Sequence, residues 1–199
     1  MSAEPMLYIF FGLIASGKSF LAERFAAERG LPYFNSDRVR KELAGIAATD
    51  RRPAGMNQGI YSPELTAKTY QVLLNRAEEA WQQGAADVIL DGSYSREAYR
   101  SEVRTLAERL GARPLFILCS CSEEETKRRL ELRAKDPNAV SDGRWEIFVR
   151  QRETFVQPDE LPPELLLRLD TEAEVEELLQ SIFSNAISLA GLTAFKKED

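Results

Sequence analysis

The chain has 199 residues, 44% hydrophobic and 29% charged, which suits a globular protein with one full core and leaves little length for a second domain. Lys plus Arg number 26 and Asp plus Glu 32, a formal charge of −6; residues 159–199 hold ten acids and three bases, leaving +1 for residues 1–158. A nearly neutral body with an acidic end argues against a long nucleic-acid footprint. There is no histidine, so imidazole acid–base chemistry, Ser-His-Asp triads and His-ligated metals are excluded.

Leu7 to Phe11 is an unbroken β-branched and aromatic run, as expected of a first strand buried on both faces of a parallel sheet. Lys18 to Arg29 reads as a helix stopped by Gly30-Leu31-Pro32, and Tyr33-Phe34-Asn35 as a short second strand. Gly45 to Tyr61, with Arg51, Arg52, Pro53, Gly55 and Gly59, lacks periodicity and is either a functional loop or an irregular connection. Ser62-Pro63 opens a helix to about Gln83, with Leu65, Thr69, Val72, Leu73, Ala77 and Ala80 on one face. Val88 to Asp91 is the third strand, Ser95 to Leu110 a helix, and Leu115 to Cys119 the fourth strand. Ser122-x-x-Glu125 predicts a capping box for a charged helix, Glu123 to about Ala134, followed by a polar break from Asp136 to Gly143. Trp145 to Phe155 is helical, with Trp145 and Phe148 packing that helix; Leu165 to Leu169 is the fifth strand. Thr171-x-x-Glu174 predicts a cap for a last amphipathic helix that frays from residue 192. Strands separated by helices imply an α/β protein, a parallel sheet between helical layers, in a single domain over residues 1–199. Cys119 and Cys121 are too close for a comfortable disulfide, Leu7 to Ala15 is too short to cross a bilayer, and a reduced cytoplasmic location without membrane contact is expected.

Between the first strand and first helix, Gly12-Leu13-Ile14-Ala15-Ser16-Gly17-Lys18-Ser19 fits G-x-x-x-x-G-K-[ST] in the required strand-to-helix position. The glycines let successive amides turn toward a phosphate chain, Lys18 supplies charge to the β/γ-phosphates, and Ser19 ligates Mg²⁺, with Phe20 the next residue on the helix. ATP and Mg²⁺ are therefore the expected cofactors. Asp37, at the carboxyl edge of the sheet, can accept a proton from an acceptor hydroxyl, and Arg40 on the same helical face can hold an anionic substrate. Alternatively Asp37 merely caps a helix Val39 to Leu43 and Arg40 is a solvated charge. Asp91 stands where such a loop's partner acid holds Mg²⁺, unless it is a turn aspartate before Gly92. Arg129 and Arg133 share a helical face and could close over a triphosphate, or belong to a self-paired helix, since residues 123–153 hold eight acids and eight bases. Tyr61 and Thr66 are candidate substrate contacts. The expected reaction is transfer of the γ-phosphoryl group of ATP to a hydroxyl of a small metabolite, sugar or antibiotic; the alternatives are a polynucleotide 5′-kinase and a nucleotide-gated interaction module.

The combination of the phosphate loop, Ser36-Asp37-Arg38-Val39-Arg40, Gly59-Ile60-Tyr61, Val88 to Asp91, Arg129 to Arg133, and Ser141 to Glu146 running on to Gln151 resembles the P-loop kinase superfamily of small phosphotransferases. That superfamily includes gluconate kinase, chloramphenicol phosphotransferase, zeta toxin and the kinase domain of polynucleotide kinases. The resemblance implies a three-layer α/β/α fold with sheet order 2-3-1-4-5 and a small helical lid at about 129–150. It also implies Asp37 as catalytic base, Arg40 as a substrate contact, and Arg129 and Arg133 as lid arginines on ATP. Gluconate kinases usually carry a histidine in their substrate segment; its absence here argues against that specificity.

Overall fold

A computed structural model describes residues 4–47, 59–135 and 144–196, with side chains as far as Gly191. β1 (Met6–Phe11) is buried along its whole length. Met6, Tyr8 and Phe10 face one helical layer and Leu7, Ile9 and Phe11 the other, which is why the strand reads as a continuous apolar run. β2 (Tyr33–Asn35), β3 (Val88–Asp91), β4 (Arg113–Ser120) and β5 (Leu166–Asp170) complete an all-parallel sheet in the order β2-β3-β1-β4-β5. The order expected from the resemblance is therefore the order observed.

On one face, α1 (Lys18–Arg29) and α7 (Val175–Lys196) cover the sheet through Leu21, Phe25, Leu178 and Ile182. On the other, α2 (Ser36–Leu43), α3 (Pro63–Gln82) and α4 (Glu97–Leu110) pack Val39, Leu73, Ala77, Val103 and Leu106. At the carboxyl edge, α5 (Glu123–Lys135) and α6 (Trp145–Thr154) set Leu130 and Phe148 on Ile14 and Ala15, so this small layer is fixed directly on the glycine-rich loop. The Trp145 and Phe148 rings lie 4.9 Å apart, as packing residues should.

Several local expectations change. Strand β4 is longer than the apolar stretch Leu115 to Cys119 because pairing with β1 extends down to Arg113, and β5 begins one residue later than expected, after a 3₁₀ turn at Pro163–Leu165. Helix α4 begins at Glu97, since the Ser95 carbonyl accepts from the Val156 amide instead of opening the helix. The buried face of α3 carries Tyr70 and Leu74, while Leu65 and Val72 are only half-buried.

The capping box of α5 is half-formed. Ser122 Oγ accepts from the Glu125 amide at 3.1 Å, but the Ser122 amide donates to Glu172 and the Glu125 carboxylate turns to Arg128 and Arg129. Thr171 does not cap α7, because its hydroxyl is engaged by the glycine-rich loop. Helix α7 continues to Lys196, past the point at which fraying was expected. The polar break at 136–143, including Ser141 and Asp142, and Arg51, Arg52, Pro53 and Gly55 lie outside the described residues. Among the described residues, no helix is long and apolar enough to cross a membrane.

Candidate active site

The loop between β1 and α1 is built from backbone. Gly12 has φ 139°, and a Cβ there would fall 2.3 Å from the Cys119 carbonyl oxygen on neighbouring β4, so the chain can turn here only without a side chain. Ala15 and Gly17 also adopt positive φ, 61° and 82°. Gly17 is the N-cap of α1 with no side-chain cap, and no acid stands in the first turn. The free amides and positive dipole end of a 12-residue helix are thus presented at the loop, as an anion requires. Lys18 Nζ folds back to the Leu13 carbonyl at 3.0 Å.

Three side chains from distant elements brace this loop. Gln151 of α6 accepts from the Ile14 amide at 2.8 Å. From the β5 side, Thr171 donates to the Ser16 carbonyl at 2.8 Å and accepts from Arg129 Nη1 at 2.9 Å; Arg129 also reaches the Ala15 carbonyl at 3.3 Å and the Thr171 carbonyl at 2.8 Å. The Arg129 guanidinium is therefore seated on loop carbonyls. Its fourth partner is Glu125, whose carboxyl is pulled from 4.5 to about 2 by hydrogen bonds from Arg128 and Arg129. The self-paired reading of α5 thus holds for these three residues. Arg133 is half-buried one turn further on, and Phe20 is 61% exposed on α1.

Asp91 ends β3 fully buried. Its Oδ2 accepts from the Tyr33 hydroxyl and from Asn35 Nδ2, both at 2.6 Å, whereas Oδ1 has no protein partner. Burial, and then the adjacent Asp91 charge, push the Tyr33 phenol far above its ordinary value, so it remains a donor. A buried carboxylate oxygen without a partner fits a cation or its bound water, and Ser19 at the start of α1 supplies a second hard oxygen.

Beside the loop, a cavity of about 200 Å³ brings together Lys18, Asp37, Arg40, Tyr61 and Thr66, five of the residues singled out in the sequence. The alternative reading of Asp37 as a cap fails: Asn35 caps α2, accepting from the Arg38 amide at 3.0 Å, and Asp37 is left in the first turn beside the cavity. Arg40 is buried, with Nη1 on Thr66 Oγ1 at 2.9 Å and on the Ile60 carbonyl at 3.3 Å, and its guanidinium lies 5.0 Å from the Tyr61 ring centre. It is not a solvated charge. Ser19, Phe20, Asp91, Arg129 and Arg133 do not line this cavity.

The cavity also contains Gln151, which the motif included, and residues that sequence reasoning missed: Tyr70, Ser93, Ser95, Arg96 and Tyr99. Tyr70 stacks on Tyr99 with ring centres 4.2 Å apart and bonds Ser93. The serines follow directly on Asp91-Gly92 at the carboxyl edge of β3, where ligands collect in open parallel sheets, and that position was an available signal. Arg100, fully buried, ties the Tyr94 carbonyl to the Val156 carbonyl and to Glu160, fixing this wall to the segment after α6.

The sheet order, the glycine-rich cradle after β1 and the helical layer above it define the fold of the P-loop kinases. The model of a family described as an AAA domain matches residues 7–158, and the chain belongs to that family. Similar solved structures include a sugar kinase from Janibacter sp. HTCC2649, 20% identical, with 90% of this chain and 93% of that one covered at a TM-score of 0.65. A gluconokinase from Sinorhizobium meliloti 1021 is 18% identical, covering 98% and 99% at 0.64. The Mycobacterium tuberculosis APS kinase, solved with AMPPNP and APS, is 20% identical, covering 94% and 99% at 0.61. No curated protein matches the chain.

Proposed function

We propose that the protein is a single-domain, cytoplasmic, ATP-dependent phosphotransferase that moves the γ-phosphoryl group to a hydroxyl of a small molecule. One observation carries this reading: Lys18 of the phosphate loop and Asp37 of α2 line the same cavity, so a terminal phosphoryl group and an acceptor hydroxyl can share one enclosed space.

In this reading the loop and first helical turn over residues 12 to 20, with the amides not already bonded to Gln151 or Leu13, and the α1 dipole hold the triphosphate, and Lys18 exchanges its Leu13 carbonyl for phosphate oxygens. Asp37 accepts the hydrogen bond of the attacking hydroxyl, orients it, and takes its proton as the new P–O bond forms and the bond from the γ-phosphorus to the β–γ bridging oxygen breaks, with ADP as leaving group. Ser19 and Asp91 would hold Mg²⁺, which when bound neutralises charge on the phosphates. Arg129 keeps the loop in shape through its carbonyls, and Arg133, on the same face of α5, meets the transferring group. Arg40, Tyr61 and Thr66 bind the acceptor.

The test is an ATP-consumption screen over metabolites, sugars, antibiotics and a 5′-hydroxyl oligonucleotide, with Asp37→Asn as control. The expected outcome is acceptor-dependent turnover by a small molecule, lowered about 10²- to 10³-fold in the variant, a typical loss for a general base. Normal transfer by Asp37→Asn would remove the assigned base.

A further inference from the structure

Among the described residues, one buried cation of the cavity has no ion-pair partner. Arg40 is 6% exposed, and among the described residues it forms no salt bridge. Its fixed neighbours are neutral: the Thr66 hydroxyl, the Ile60 carbonyl and the Tyr61 ring. Its Nε is buried with no partner at all. A second guanidinium, Arg96, stands exposed on the same cavity, and Lys18 adds a third positive group against the single carboxylate of Asp37. Arg100, by contrast, is also buried and has Glu160. Burying an arginine without an anion is costly, and a donor left unmade on its fork adds to that cost.

We infer that the phosphoryl acceptor is itself an anion, a hydroxyl compound bearing a carboxylate or a phosphate monoester that pairs with Arg40. This deepens the kinase reading and rests on it. Asp37 and Arg40 are three residues apart on one face of α2, which puts their Cβ atoms about 5–6 Å apart. The reacting hydroxyl and the anionic group must then be separated by several bonds, as they are in a polyhydroxylated acid or a sugar phosphate. Arg is suited to both groups because its fork can meet two oxygens at once. The Tyr70 and Tyr99 rings, stacked on each other, and Ser93 and Ser95 furnish the remaining wall for a hydroxylated carbon skeleton. Aminated acceptors, such as basic antibiotics, are disfavoured by the same three cations.

The test uses wild-type protein with Mg·ATP and matched acceptors of equal carbon number: aldoses and alditols, the corresponding sugar acids, and the corresponding sugar monophosphates. The expected result is a kcat/KM for at least one acid or monophosphate about 100-fold above that of its neutral partner, with acids and monophosphates as separate arms that identify the anion. In Arg40→Gln this ratio falls toward one through a rise in KM. The wild-type comparison stands by itself if that variant does not fold. Turnover of neutral or aminated acceptors at least equal to that of the anions would overturn the inference and leave the kinase reading intact. Nucleotide binding without turnover of any hydroxyl compound would overturn both.

Discussion

The two halves of the site are made in different ways. In the proposed reading the phosphate half is eight consecutive residues, Gly12 to Ser19, whose backbone would form the binding surface, and its side-chain partners Gln151, Arg129 and Thr171 hold that backbone from outside. The acceptor half is assembled from side chains on α2, the turn Gly59–Tyr61, α3, the segment after β3, α4 and α6, which lie far apart in sequence. Backbone recognition constrains sequence tightly and locally; side-chain recognition is spread over the chain and free to vary.

The sharpest way to break the comparison is Lys18→Ala. The loop conformation stays, since it rests on glycines and carbonyl braces, but turnover drops about 10³-fold when a charge aimed at the reacting phosphates is removed, as steady-state ATP consumption would register. Retained turnover would show that the loop is not the donor site.

Gly12→Ala tests the backbone side. The added Cβ meets the Cys119 carbonyl at 2.3 Å in a strand that cannot move without breaking the β1–β4 pairing. A loss of about 3 kcal/mol and a melting temperature lower by about 6–12 °C are expected by calorimetric unfolding. An unchanged melting temperature would mean that the turn is looser than described.

Thr171→Val removes the hydroxyl that donates to Ser16 and accepts from Arg129. At about 1–1.5 kcal/mol for such a bond, nucleotide affinity falls by about 5- to 10-fold while the acceptor KM is unmoved. A shift of equal size in acceptor KM would erase the boundary between the two halves.

The smallest effect concerns Glu125. Its carboxyl lies below the ordinary value in the folded state, so its pairs with Arg128 and Arg129 contribute fully above about pH 4.5 and are lost as pH falls through about 2. The gap in melting temperature between wild type and Glu125→Gln should be constant near neutrality and close across that acid window. A gap that widens on acidification would contradict the pairing.

The same division explains what could be read in advance. The five strands and the cradle follow from apolar runs, glycine positions and one spaced motif, all local signals, whereas the strand order is implied by the family resemblance alone. Asp37 and Arg40 were legible because they follow β2 at the sheet's carboxyl edge. Thr171 was not: the pattern Thr-x-x-Glu states a cap equally well, and only the fold brings it to Ser16, 155 positions away. Gln151 meets Ile14 across 137 positions, with no local pattern to announce the bond. Tyr70 sits at a helical position that apolar periodicity assigns to core, yet its ring also forms a cavity wall.

Isothermal titration of Mg·ATP into wild-type protein addresses the phosphate loop directly. Saturable one-to-one binding, greatly weakened in Lys18→Ala, is the result expected of amides and a helix end that hold a triphosphate. Folded wild-type protein that takes up no nucleotide would contradict it.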